Sequence, residues 1–107
     1  MFSTGAVNAE SDRLVQEVNV VGSNAAAYWR KPVQMGGGGR TFVGITADAA
    51  GLAALGVASS DATTLSISTA GDADDFGVTA TGTAEGVVVV ATIDEDGVVG
   101  SPTITLP

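Results

Sequence analysis

Apolar residues recur at the spacing of a helix face in the first third of the chain and alternate strictly in the last. Leu14, Val18, Val21, Ala25 and Tyr28 step by four and three residues, and Val7 extends the series one heptad further back. Asp12, Arg13, Gln16, Glu17, Asn19, Ser23 and Asn24 lie between them, so one stripe is apolar and the rest is wet. The spacing predicts a helix over 8–31. Asn8 and Ser11 are its candidate caps, and Glu10 and Asp12 suit its positive end. Arg30 and Lys31 suit the negative end, and Pro32 forbids continuation. Gly22 costs roughly 1 kcal/mol against Ala in mid-helix and marks a close contact or a bend.

From residue 63 the period becomes two. Leu65 and Ile67 alternate with Thr64, Ser66 and Ser68, and Val78 and Ala80 with Thr79 and Thr81. Val87, Val89, Ala91 and Ile93 share one face of a run that is apolar on both faces over 87–90, which suits a central strand. Ile104 and Leu106 alternate with Thr103 and Thr105, and Pro102 suits an edge strand or a strand start. Turn clusters at 71–75, 82–86 and 94–97 separate these runs, as in an antiparallel meander.

The intervening residues 32–62 hold a glycine-rich turn at Gly36–Gly39, a first strand at Thr41–Thr46 and a short helix over 48–56. Asp48 caps that helix and Gly56 terminates it. Four glycines in a row invite a phosphate-cradle reading. A P-loop, however, needs Gly-Lys-Ser/Thr opening a helix after a buried strand, and here the order is reversed. The chain therefore reads as one domain over 1–107. Its class is α+β, with one long N-terminal helix packed on a small antiparallel β-sheet.

Composition narrows the chemistry. Among 107 residues there is no cysteine and no histidine, which excludes disulfides, thiolate or imidazole metal sites and histidine-based triads. Twelve acids against Arg13, Arg30, Lys31 and Arg40 give a net charge of −8, so phosphate backbones and anionic headgroups are repelled and no nucleic-acid partner is expected. The same bias suits plain solubility, or solubility where concentrated salt screens repulsion. No run approaches the roughly 18 apolar residues of a membrane span.

Two acidic turns are the ligand-like clusters. Asp72, Asp74 and Asp75, and Asp94 and Asp96 beside Glu95, offer the hard oxygens that calcium favours, although neither turn has EF-hand spacing. Calcium is the one cofactor these residues suggest, against the plain reading of solvated hairpin tips. Twelve acids could supply a glycosidase pair, but five aromatics do not line a sugar cleft, and no enzyme is expected. Tyr28-Trp29-Arg30-Lys31 offers a stacking platform. Tyr28 belongs to the apolar stripe, and Trp29 lies off it, where it covers the sheet edge, meets a partner or faces solvent.

Ala25-Ala26-Ala27-Tyr28-Trp29-Arg30-Lys31-Pro32, then Met35, the four glycines and Thr41-Phe42-Val43-Gly44, resemble type IV pilins and type II secretion pseudopilins. The likeness includes the Asp12-Arg13 acid–Arg pair and, in outline, the closing hairpin from Val88 to Val98. Phe2-Ser3 echoes the residues that follow the cleaved Gly-Phe junction in such subunits. Their hydrophobic N-terminal half-helix has no counterpart in Thr4-Gly5-Ala6-Val7-Asn8, so the resemblance implies a soluble headpiece or assembly by another route, with the first preferred. It implies an extracytoplasmic filament subunit, in the periplasm or at the cell surface. Its partners would be copies of itself or other pilin-like subunits, with membrane contact only through the missing segment. Leu14, Val18, Val21 and Trp29 are the candidate partner contacts. The alternative is a small secreted module that holds calcium or a glycan through its acidic loops.

Overall fold

Helix α1, Thr4–Arg30, lies along one face of a five-stranded antiparallel sheet, and this α+β arrangement is the one the periodicity predicts. The computed structural model describes residues 4–100 and 102–106; Phe2 and Ser3, which carry the echo of a pilin cleavage junction, lie outside them. The helix is already running at Thr4, so Asn8 and Ser11 sit inside it rather than capping it, and its first turn carries no acid. Nothing in Gly5-Ala6-Val7 breaks a helix strongly enough to delay it, because one Gly costs only about 1 kcal/mol. Leu14, Val18, Val21 and Ala25 are fully buried, and Val7, Val15, Tyr28 and Trp29 pack at the margin of the core. Gly22 resolves as a close contact. A methyl group there would meet the Val98 backbone nitrogen at 3.1 Å, so this glycine lets the helix press on the sheet edge.

The glycine run is not a loose link. Gly38 donates its N–H to the Tyr28 carbonyl at 2.8 Å, Gly39 to Lys31 at 3.0 Å and Arg40 to Trp29 at 2.7 Å. The run thus folds back over the end of α1 and satisfies carbonyls that a helix terminus leaves without partners. A short 3-10 turn, Val33–Met35, begins the fold-back. Gly39 has φ +62°, and a side chain on Gly37 would collide with the Lys31 carbonyl, so neither position accepts an ordinary residue without strain.

The expected strand at Thr41–Thr46 does not form. Phe42 and Ile45 are both fully buried while Val43 is 65% exposed, a spacing of three that a strand would place on opposite faces. The Ile45 N–H instead closes a turn on the Phe42 carbonyl at 2.9 Å, which sends both side chains into the same core. Two further backbone bonds pin the turn: Phe42 N–H to the Asp72 carbonyl at 2.9 Å, and Gly71 N–H to the Ile45 carbonyl at 2.7 Å. Helix α2, Ala49–Ala54, follows as expected. The Asp48 carboxylate accepts from the N–H groups of Ala50 and Gly51, and Gly56 takes a left-handed conformation beyond it.

Strands β1 (Thr63–Thr69), β2 (Asp75–Gly82) and β3 (Val88–Asp94) form a meander. The remaining edge of β3 is shared by β4 (Gly97–Val98) at Ile93–Asp94 and β5 (Thr103–Thr105) at Val88–Val90. Leu65, Ala80 and Val89 stand in one row across the sheet, and Ile67, Val78 and Ala91 in the next; all are buried. With α1 on only one face, the second apolar face of β3 stays open, and Val90 remains 39% exposed. Phe42 completes the core with its ring 5.2 Å from Phe76, edge to face, and 6.4 Å from Tyr28, stacked.

Candidate functional site

The acidic turns end up at one end of the sheet, because Asp75 pairs with Asp94 across β2 and β3. The carboxylates are nevertheless occupied locally. Asp72 Oδ1 accepts from the N–H groups of Asp74 at 2.8 Å and Asp75 at 2.9 Å, and Asp94 Oδ1 from that of Asp96 at 2.8 Å. Asp96 itself lies 3.8 Å from the Arg30 guanidinium. Among the described residues no three acidic side chains converge on a point where a cation could sit. Of the five residues suggested as calcium ligands, Asp72 and Asp94 are thus engaged in their own turns and Asp96 faces Arg30, while Asp74 and Asp75 complete the acidic end of the sheet. Short side chains that bond their own backbone two residues on do what Asp commonly does in turns.

Their protonation follows from this. Backbone N–H groups, that of Asp75 foremost, hold the Asp72 carboxyl below the usual aspartate range, and the Thr46 hydroxyl, at 2.5 Å, does the same for Asp48. Asp75 is pushed the other way, first by partial desolvation and then by the charges of Asp72, Asp74 and Asp94. A raised folded-state pKa means that ionised Asp75 weakens the fold at neutral pH, while well below pH 3.8 both states are protonated and the penalty disappears. Asp75→Asn is therefore expected to raise Tm slightly at pH 7 and to leave it unchanged at pH 3. Thermal melts at the two pH values check this, and a loss of stability at pH 7 would contradict it.

Three of the four expected partner contacts are spent inside the domain. Leu14, Val18 and Val21 are 0% exposed, because the stripe that could have met a neighbour is the one facing this chain's own sheet. Trp29 is half-buried, with the Arg40 guanidinium 5.3 Å from its ring centroid. Tyr28 stacks on Phe42, so the pair is no open platform for a base or a sugar. Trp29 Nε1 is buried without a hydrogen-bond partner among the described residues.

A polar cluster that sequence reasoning missed joins α1 to the far end of the sheet. Glu10 is nearly buried and accepts from the backbone N–H groups of Glu85 and Val87, each at 3.1 Å. Arg13 donates to Glu17 at 2.7 Å, to the hydroxyl of fully buried Thr63 and to the Ala62 carbonyl, and Thr63 donates to Glu17 at 2.7 Å. Arg13 thus works with Glu10 and Glu17, not with the adjacent Asp12, which is exposed. Spacings of three and four on a helix were the signal available, since neighbours in sequence do not share a helix face.

Surface cavities open on both flanks of the helix layer. One, of about 710 Å³, is a polar furrow between α1 and β4, in which Asp96 is the charged residue. On the other flank two smaller cavities, of about 310 and 210 Å³, share Val57, Ala58 and Leu65 and form one apolar groove between α1, α2 and β1. Among the described residues no helix is long and apolar enough to cross a membrane. Comparisons of the chain with protein-family models, with curated proteins and with solved structures find no match.

Proposed function

We propose that this chain is the headpiece of a pilin-like or pseudopilin-like subunit, built into an extracytoplasmic filament. One observation carries the reading. A single helix of 27 residues, about 40 Å long, lies on one face of a small antiparallel sheet, and its leading turns stand clear of that sheet. Among the described side chains, Glu10 is the first on the helix fully engaged with the strands. Gly5, Ala6, Asn8 and Ala9 before it are exposed, and only Val7 leans on the core. The molecule accordingly measures 52 Å in its longest dimension against 26 and 18 Å. A helix held from Glu10 onward and free over the residues before it is suited to continue into a stalk around which neighbours pack.

The sheet supplies the other half of the argument. Its cluster of buried carboxylate and hydroxyl groups fastens the helix, and its turns are polar and closed on themselves, as a structural shell needs. The test is immunogold electron microscopy of surface filaments sheared from the source cells, with antibodies raised against this domain. Regular labelling along the filament shaft is expected; antigen found only as unassembled protein would overturn the proposal.

A further inference from the structure

We infer that copies of this chain join head to tail, the turn Val33–Met35 of one copy seating in the apolar groove between α1, α2 and β1 of the next. This names a contact of the filament proposed above and rests on that reading. The turn follows the C-terminal end of α1 and none of its residues is buried; Val33 is 68% and Met35 69% exposed. Exposed apolar side chains are ordinary when scattered, but these two stand on a turn that is held rigidly. The Met35 and Gly37 N–H groups bond to the Pro32 carbonyl, at 3.0 and 3.1 Å, and Gly36 N–H bonds to Val33 at 3.0 Å. A preordered knob loses little conformational entropy on docking.

Charge selects the second copy as the occupant. Lys31 and Arg40 border the turn, and among the described residues neither has a carboxylate within 4.0 Å. The chain as a whole carries −8, so an acidic surface for these cations is available on another copy. The groove offers such groups along an apolar floor of Val20, Leu52, Val57, Ala58 and Leu65: Glu17 in one cavity, bonded to Arg13 and Thr63 through Oε2, and Asp48 in the other, capping α2 through Oδ1, each with its second oxygen unbonded among the described residues. Knob and groove share no residue, so the contact joins two different patches, and it closes at two copies only if each knob enters the other's groove. A contact between two different patches repeats without closing unless its rotation happens to make a ring, and an unclosed repeat is a filament.

The natural chain has no cysteine, which makes the test direct. Met35→Cys marks the knob and Ala58→Cys the groove; both positions are exposed, so unchanged melting confirms folding. Under mild oxidation at high protein concentration, the double variant should give a ladder of disulfide-linked oligomers. An equimolar mixture of the two single variants should give a heterodimer and nothing larger, well above what either yields alone. Adding Lys31→Glu to the double variant should suppress the ladder, as should high salt. A double variant that stays monomeric or stops at a closed dimer, or single variants that cross-link as well alone as mixed, would overturn the head-to-tail contact. A ladder without labelled filaments keeps the contact and discards the filament; labelled filaments without a ladder discard the contact alone.

Discussion

Glu10→Ala is expected to lower the free energy of unfolding by about 3 kcal/mol, a large fraction of what a domain of this size has to lose. Glu10 is 5% exposed, and its carboxylate accepts from the N–H groups of Glu85 and Val87, which close the turn leading into β3. Truncation leaves the buried Val87 donor without a partner and the Glu85 donor half-buried, at about 1–3 kcal/mol for each unsatisfied group. Glu10→Gln keeps an oxygen in reach of one donor and should cost about half as much. Gly82 offers an independent check, because a methyl group there would fall on the Glu10 carboxyl group. Gly82→Ala should therefore displace the carboxylate in the parent protein, yet cost little once Glu10 is already Ala. The double variant is then less damaged than the sum of the single ones, as expected of residues in direct contact. Urea denaturation of the four proteins measures the cycle. A Glu10→Ala loss within about 0.5 kcal/mol, the range of an ordinary surface change, would remove the clamp from this account.

That clamp marks where the sequence stops being legible. The helix stripe and the alternating strands are repetitive patterns, so Leu14 to Tyr28 and Leu65 to Ile93 declare their inward faces without knowledge of the tertiary fold. The capping role of Asp48 is equally local. Glu10 is different. Its partners lie 75 and 77 residues away, and nothing near it distinguishes a buried acceptor from one more solvated acid in an acidic chain. The same distance hid the fate of the stripe. Periodicity shows that Leu14, Val18 and Val21 must be covered, but not whether this chain's own sheet or a neighbour covers them. The acidic turns are hard to read for the opposite reason. Composition counts carboxylates, whereas geometry decides whether their oxygens point at a common centre or at the backbone N–H groups two and three residues on.

Phe42→Ala is expected to cost about 3–5 kcal/mol, whereas Val43→Ala, one residue along, should cost less than about 0.5 kcal/mol. The contrast follows from the turn that replaced the anticipated strand. Phe42 is fully buried between the rings of Tyr28 and Phe76, and its backbone N–H holds the Asp72 carbonyl. Val43 points to solvent from the crest of the turn. Removing the ring leaves a cavity that backbone bonds on both sides of the turn prevent from collapsing, and cavities that cannot relax are the costly ones. Ile45→Ala should also destabilise strongly, by about 2–5 kcal/mol, since its side chain enters the same core three residues later. A strand would instead have put residues 42 and 44 on one face and left 45 on the other. Thermal or urea unfolding of the three variants decides between the arrangements. Equal losses at 42 and 43, or a silent Ile45→Ala, would mean that the segment does not anchor this core as described. The anchored turn also bears on assembly, because it is the next segment after the Val33–Met35 knob and the glycine run. If Phe42 is what fastens that stretch, Phe42→Ala should weaken knob-to-groove cross-linking under conditions where the protein remains folded, while Val43→Ala should leave it intact.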